Sequence, residues 1–292
     1  MRWKSPWGEG FPGWHIECSA MATKYLGAEF DIHGGGMDLM FPHHESEIAQ
    51  STICNHKTPA KYWLHNNMIT IGGKKMGKSY NNVIKLTEMF SGNHPLLTQA
   101  FSPMTIRFFI LQTHYRSTLD FSSEALVAAE KGLKRLWEAY EILKQLPVAG
   151  YELPGDKELD AKCIKLLSEL AEFMNDDFNT AKVLANLFEL VPVINSIKDG
   201  IIPGDALSSS TMQLLKTSFK VFLEDIFGLK NSRENDETFK SVMQLLIDIR
   251  KEAKDKKDFA TSDKIRQQLN AAGILLKDQK DGSMKWELRE RS

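Results

Sequence analysis

The sequence has few cysteines, no secretory signal and no long apolar run. Three cysteines among 292 residues make a poor disulfide framework. Residues 1–6 lack the apolar core of a secretory signal, and no uninterrupted apolar stretch is long enough to cross a bilayer. We therefore expect a cytoplasmic protein in a reducing compartment, with no membrane partner.

The sequence also lacks an excess of charge of either sign, because its net charge is only −1. Any contact with a nucleic acid must then come from a local patch. Residues 240–292 provide one, since they carry thirteen Lys and Arg residues against nine Asp and Glu residues.

The hydropathy pattern predicts a multidomain α/β plus α protein. A chain of 292 residues is long enough for about two or three domains. Residues 1–120 predict mixed α/β structure, with strands near 29–33 and 68–71 that glycine clusters should end. Residues 121–230 have apolar side chains at helical spacing and predict a helical bundle.

The last part of the chain predicts a small α+β unit at 231–292. Its polar opening segment, 231–237, is expected to be a linker. A helix should follow, and then a terminal hairpin that turns at Asp281 and Gly282.

One local pattern has the spacing of a metal site. His43 and Glu47 lie four residues apart, which places them on one face of a helix that Pro42 can open. Cys18 offers a thiolate upstream, and a Cys/His/Glu set suits zinc better than magnesium or calcium. The same spacing is also typical of a solvated helix face, so spacing alone leaves both readings open.

A second pattern is the short basic segment that contains Lys75, Gly77 and Lys78. A lysine loop of this kind can bring ammonium groups to a polyphosphate, which suits phosphoryl or adenylyl transfer. A charged surface turn has the same composition.

Taken together, these segments closely resemble the cysteinyl-tRNA synthetases, a family of class I synthetases. The resemblance runs through essentially the whole chain. The stretches that agree in order and spacing are Gly13–Met21, Phe30–Gln50, Lys75–Ser79, Thr113–Ser117 and Asn175–Thr180.

The resemblance implies the later part of a Rossmann-type catalytic domain, then a tRNA-binding helical bundle and a small anticodon-recognition domain. It implies an enzyme that activates cysteine with Mg-ATP to cysteinyl-adenylate and transfers the cysteinyl group to tRNA(Cys). It also implies one Zn²⁺ held by Cys18, His43 and Glu47. A thiophilic metal separates cysteine from serine, which a hydrophobic pocket alone does poorly.

By the same resemblance, Trp14, His33 and Asp38 line the substrate pocket. Without it, Trp14 is as well explained as a core residue and His33 as a hydrogen-bonded histidine at a strand end. Lys75 and Lys78 fall on the catalytic lysine loop, with Lys78 nearer the ATP phosphates. Gly77 replaces the usual serine of that loop, and we expect altered loop energetics with the chemistry retained.

Two features of the family have no counterpart in these residues: its ATP-binding His-x-Gly-His motif and the fourth zinc ligand, a cysteine. We therefore expect the chain to begin within the catalytic domain, to have limited activity alone and to be a monomer. Two other functions stay open, a non-catalytic tRNA-binding fragment and the related ligase that joins cysteine to an amino sugar. The basic C-terminal segment argues against the amino-sugar ligase, because a small acceptor needs no anticodon domain.

The C-terminal unit is expected to contact the anticodon end of the tRNA. Arg250, Lys251, Lys254 and Lys264 should contact phosphates, and Trp286 should stack on an unpaired base. The alternative is that the charges form a solvated face and that the tryptophan packs on its own domain.

Overall fold

The computed structural model describes residues 2–148, 155–271, 273–278 and 284–288. The chain divides into two compact units, Met1–Phe227 and Gly228–Ser292. The first unit holds both the mixed α/β region and the helical bundle.

The first part of this unit contains two pairs of strands and two helices. In chain order they are β1 (Trp3–Ser5), β2 (Gly8–Gly10), α1 (His15–Leu26), β3 (Phe30–Gly36), α2 (Glu45–Asn55) and β4 (Ala60–Asn66). β1 and β2 pair antiparallel, whereas β3 and β4 pair in parallel. The glycine cluster at 34–36 was expected to end the strand, but it forms the last three residues of β3 and pairs with Leu64, His65 and Asn66. Gly35 suits this position because an added Cβ would lie only 2.7 Å from the ring of His44.

A three-stranded sheet follows, in the order β6–β5–β7. Its elements, with the helices between them, are β5 (Ile69–Ile71), β6 (Lys74–Lys75), α3 (Leu86–Ser91), α4 (Pro103–Leu111) and β7 (Leu119–Phe121). Gly72 and Gly73 connect β5 to β6 with φ angles of 57° and 74°. Because side chains disfavour this left-handed region, the pair ends β5 in a tight turn as predicted.

The bundle consists of α5 (Ser123–Gln145), α6 (Lys157–Asn175), α7 (Thr180–Lys198) and α8 (Ser209–Lys220), which a π-helical turn, Val221–Ile226, extends. Ser122 caps α5 by accepting a hydrogen bond from the amide of Ala125. The apolar stripe predicted for α5 is buried along its length. Its members are Leu126, Ala129, Leu133, Leu136, Trp137, Tyr140 and Leu143.

One helix, α7, is long and apolar enough to cross a membrane by length and composition, with a mean hydropathy of 1.2. Half of its most apolar window is buried inside the protein. Its apolar residues, Leu184, Leu187 and Ile194 among them, form part of the bundle core. The same property is typical of the central helix of a bundle.

The second unit contains α9 (Ser232–Asp255), α10 (Phe259–Ala271), β8 (Ile274–Asp278) and β9 (Met284–Leu288). The expected linker at 231–237 is wrong, because α9 begins at Ser232 and includes Arg233, Glu234 and Glu237, which have good helix propensity. β8 and β9 pair antiparallel as the predicted hairpin, whose turn at 281–282 lies outside the described residues. The core of this unit is Met243, Leu269 and Ile274.

Candidate metal and substrate site

The three sequence-predicted metal ligands converge where α1, α2 and the kinked segment Met40–His44 meet. Their ligand atoms, in Cys18, His43 and Glu47, all lie within 4.8 Å of one another. The turn before α2 keeps His43 one helical turn from Glu47, so that His43 Nε2 lies 3.1 Å from Glu47 Oε1. α2 begins at Glu45 and not at Pro42, and the expected i, i+4 contact still forms.

Glu47 is the most deeply buried member of the set, with 2% of its surface exposed. Within the described part of the chain its Oε1 accepts no hydrogen bond of good geometry, although the atom is fully buried. Burial raises the pKa of Glu47, and burial followed by the charges of Glu47 and Glu17 raises the pKa of Cys18. A buried carboxylate without a donor is costly alone and is satisfied when a cation binds it.

The donor set fits zinc. A thiol, an imidazole and a carboxylate are three of the ligand types that zinc binds, and the spacing suits one ion. The buried Oε1 of Glu47 is the observation that makes this fit specific, since it is turned toward His43 and away from water.

A second group of ligand atoms shares the same carboxylate: His33, His44 and Glu47. His33 Nε2 lies 3.6 Å from Glu47 Oε2, and His44 Nδ1 lies 2.8 Å from His65 Nε2. Burial, then the neighbouring histidines, lowers the pKa of His44 to about 4. Burial likewise lowers the pKa of His33. This imidazole is therefore neutral at physiological pH, and its nitrogens can accept as well as donate.

Sequence reasoning missed His44, Trp63 and His65. The Trp63 ring packs on His33 at a centroid distance of 4.6 Å and on His44 at 5.1 Å. Trp63 and His65 lie on β4, beside β3, which carries His33. The alternation of Trp63 and His65 along a strand was the one available signal, because residues two apart share a face.

Trp14 and Asp38 flank this group at the surface. Trp14 is 67% exposed, and its ring makes an edge contact with His43 at 5.6 Å. Trp14 is therefore not a core residue. Asp38 Oδ2 lies 3.4 Å from Lys75 Nζ, so the lysine loop reaches the pocket side of the protein.

The lysine loop is anchored at both ends. At its start, Oδ1 of Asp120 accepts hydrogen bonds from Thr70 Oγ1 at 2.6 Å and from the amide of Gly73 at 2.9 Å. At its end, Asn82 accepts from the amide of Gly77 and donates to the carbonyl of Lys75. Lys75 and Lys78 are exposed, and hydrogen bonds at both ends of the loop hold its backbone.

Gly77 does not use the conformational freedom of glycine. Its φ of −172° is extended backbone that any residue adopts, and an added Cβ would meet Tyr80 and Ser79 at 3.6 and 3.9 Å, which is ordinary contact. The expectation of altered loop energetics therefore finds no support in the backbone angles of Gly77.

One of the expected tRNA contacts, Arg250, is wrong, and the stacking expected of Trp286 stays a prediction. Arg250 is 2% exposed, because it lies on the core face of α9, seven residues after the buried Met243, and cannot reach a phosphate in this conformation. Trp286 is partly buried and packs against the core formed by Met243 and its neighbours, as the alternative reading held. Lys251 and Lys264 are exposed and Lys254 is half-buried.

The chain was compared with known protein families, with curated relatives and with solved structures. The family described as tRNA synthetases class I (C) catalytic domain matches residues 1–131, and the DALR domain matches residues 169–231. The Cysteine--tRNA ligase of Porphyromonas gingivalis is 52% identical over 99% of this chain and 57% of its own length. That of Chlorobaculum tepidum is 45% identical over 97% of this chain and 56% of its own length.

The chain therefore spans little more than half the length of the curated relatives that it matches. Among solved structures, the LeuRS of Agrobacterium radiobacter K84, determined as a ternary complex with tRNA and LeuAMS, aligns with a TM-score of 0.54. The alignment covers 79% of this chain and 34% of that chain at 13% identity, so it concerns the fold alone.

Proposed function

We propose that this chain, which belongs to the cysteine–tRNA ligase family of class I tRNA synthetases, carries the cysteine-selecting site and the lysine loop of that ligase. The whole protein would activate cysteine with Mg-ATP and transfer the cysteinyl group to tRNA(Cys). The observation that carries the proposal is the convergence of Cys18 and His43 on the buried carboxylate of Glu47, whose Oε1 accepts no hydrogen bond of good geometry among the described residues.

In this proposal Cys18, His43 and Glu47 hold one Zn²⁺, which supplies a thiophilic site for the substrate side chain. The chain's own residues then shape the pocket. Trp14 shields the edge of His43, and the imidazole of His33 lies beside Glu47 and packs on the ring of Trp63. A site built for a thiolate rejects serine without a second, editing step.

The lysine loop would serve adenylate formation. Lys78, which is exposed just after Gly77, would contact the ATP phosphates, and Lys75, which lies 3.4 Å from Asp38, would assist it. Ammonium groups held at a fixed distance stabilise the charge that develops on a departing pyrophosphate. Asp38 would bind the ammonium group of cysteine. Its Oδ2 lies 3.4 Å from Lys75 Nζ, so it already faces a cation.

We also infer that the bundle and the second unit bind tRNA and that the protein works as a cytoplasmic monomer. Lys251, Lys254 and Lys264 remain the candidates for phosphate contacts. Deleting Gly273–Ser292 should weaken discrimination among anticodon variants, and retained discrimination by a folded deletion variant would refute the inference. Binding should weaken as salt rises, because each phosphate contact releases counterions.

The function is tested by cysteine-dependent exchange between ATP and pyrophosphate. In the full-length protein we expect exchange with cysteine, and at least about ten-thousandfold less with serine, which is the discrimination that a site without an editing step must supply. The 292-residue chain alone should exchange weakly, since it contains no His-x-Gly-His motif. If the full-length protein binds tRNA but shows no exchange, it is a non-catalytic tRNA-binding protein and the proposal fails.

A further inference from the structure

The loop between α6 and α7 has an unusual backbone. Asp177 and Phe178 both adopt left-handed conformations, with φ angles of 60° and 55°. Two consecutive non-glycine residues in this region are costly, and such strain persists only where surrounding contacts hold it. The turn is followed by Asn179, which caps α7 by accepting from the amide of Lys182.

The contacts that hold this turn come from the segment after α4. Tyr115 donates its hydroxyl to Asp177 Oδ1 at 2.6 Å, and Arg116 Nε lies 2.7 Å from Asp177 Oδ2. The ring of His114 lies 3.1 Å from the carbonyl oxygen of the same aspartate. Both carboxylate oxygens of Asp177 therefore bind one short segment, 114–116, with the two strongest kinds of donor, a phenol and a guanidinium.

That segment is joined by its backbone to the start of the lysine-loop sheet. Asn67 donates its amide to the carbonyl of Tyr115 at 2.8 Å and its side chain to the carbonyl of Arg116 at 2.9 Å. Asn67 follows β4 directly, two residues after His65, which contacts His44 in the candidate site. Two residues later β5 begins, and Ile69 accepts from the amide of Met76 in the lysine loop.

We propose that Asp177 is a positioning residue that couples the helical bundle to the lysine loop through Tyr115, Arg116 and Asn67. The inference rests on the proposed function for its catalytic consequence, whereas the coupling itself is a property of the fold. A bundle that shifts on binding tRNA would move α7, and the bonds of Asp177 would transmit that shift to β5 and Lys75–Lys78. An isolated ion pair on the surface would not reach the loop, but here the backbone of residues 67–69 links polar contacts of 3.0 Å or less that run from Asp177 to Asn67 and from Ile69 to Met76.

Hydrogen exchange on the 292-residue chain tests the coupling without requiring activity. Asp177→Ala should speed amide exchange in residues 67–78 by about twofold to thirtyfold, the range expected for coupling through packed contacts. Asp176→Ala is the matched control, because Asp176 is exposed and adjoins Asp177, and it should leave this segment unchanged. If Asp177→Ala does not fold, Asp177→Asn removes the charge opposite Arg116 while keeping an acceptor for Tyr115.

A rise in exchange confined to 112–118 and 174–182, or an equal rise throughout the chain, would show a merely structural role and overturn the proposal. The catalytic consequence is measured in the full-length ligase, with active sites counted by adenylate titration. Asp177→Ala should lower the kcat of pyrophosphate exchange per active site, leave the KM for cysteine within about twofold, and be partly rescued by Asp177→Asn. An unchanged kcat per site would refute the coupling to catalysis.

The two proposals fail separately. If the unchanged protein shows no cysteine-dependent exchange, the proposed function is wrong, and the hydrogen-exchange result still decides whether Asp177 couples the bundle to the loop.

Discussion

Replacing Cys18 with serine should abolish high-affinity zinc binding. Zinc bonds of about 2.0–2.3 Å around a tetrahedral centre separate neighbouring ligand atoms by roughly 3.3–3.8 Å. His43 Nε2 and Glu47 Oε1 are 3.1 Å apart, and all three ligand atoms lie within 4.8 Å of one another. A displacement of about 1 Å or less at each side chain therefore completes the site, which needs no rearrangement of α1 or α2.

The expected loss is at least about a hundredfold in affinity, or roughly 2.8 kcal/mol at 1.4 kcal/mol for each tenfold step. Disturbing groups that only support a metal ligand costs about tenfold to a hundredfold, so removing a direct thiolate ligand should cost no less. A serine hydroxyl at the same position stays protonated and cannot replace the thiolate.

The assay is competition for zinc against a chromophoric chelator, with Cys54→Ser as the control. Cys54 is an exposed cysteine on the same surface helix as Glu47, so this variant has the same thiol count and leaves the site intact. Equal affinity of Cys18→Ser and the unchanged protein would remove Cys18 from the site. A loss in Cys54→Ser as large as in Cys18→Ser would show that the binding is not site-specific.

Three further predictions concern the loop and the bundle. In the full-length ligase, Lys78→Ala should lower the kcat of exchange at least about tenfold with little change in the KM for cysteine, because a phosphate contact acts on the developing charge. The hydrogen bonds from Thr70 and Gly73 lower the pKa of Asp120, so this carboxylate stabilises the loop above its unfolded pKa and loses that effect as the pH falls through the folded value. The protection factors of amides 70–76, which correct hydrogen exchange for its intrinsic pH dependence, should therefore fall in acid, and Asp120→Asn should remove most of that fall. Leu187→Ala, at a fully buried position, should cost about 2–5 kcal/mol in urea unfolding; Leu214→Ala, at a position 43% exposed, should cost less than about 1 kcal/mol.

The helical parts of the fold were predictable because their information is local. The stripe on α5 repeats at helical spacing, and all of its predicted members are buried. The prediction of a linker at 231–237 was wrong because it inferred a loop from polar composition. The helix α9 already starts at Ser232. The prediction for Arg250 was wrong for a related reason. It considered the charge of the residue but not the helical register, which places Arg250 on the same face as Met243 and Ile247.

The candidate site was predictable only where its residues stand in one continuous motif. His43 and Glu47 are an i, i+4 pair, and the resemblance to the family supplied Cys18. His65 and His44 are 21 residues apart, and their contact exists only because β4 pairs in parallel with β3. No periodicity within either segment encodes that pairing, which depends on strand register.

The segment 65–69 shows why a residue can matter without belonging to a recognisable motif. His65 contacts the pocket, Asn67 holds the segment bound by Asp177, and Ile69 anchors the lysine loop. Asn67 makes one of its contacts, to the carbonyl of Tyr115, through the backbone amide that nearly every residue type possesses. Its side chain nevertheless both donates to the carbonyl of Arg116 and accepts from the amide of Met68, which an aspartate could not do because it lacks a donor. The connection between the pocket, the lysine loop and the bundle therefore depends on the side-chain amide of Asn67. Its role can be recognised only when its partners in three dimensions are known.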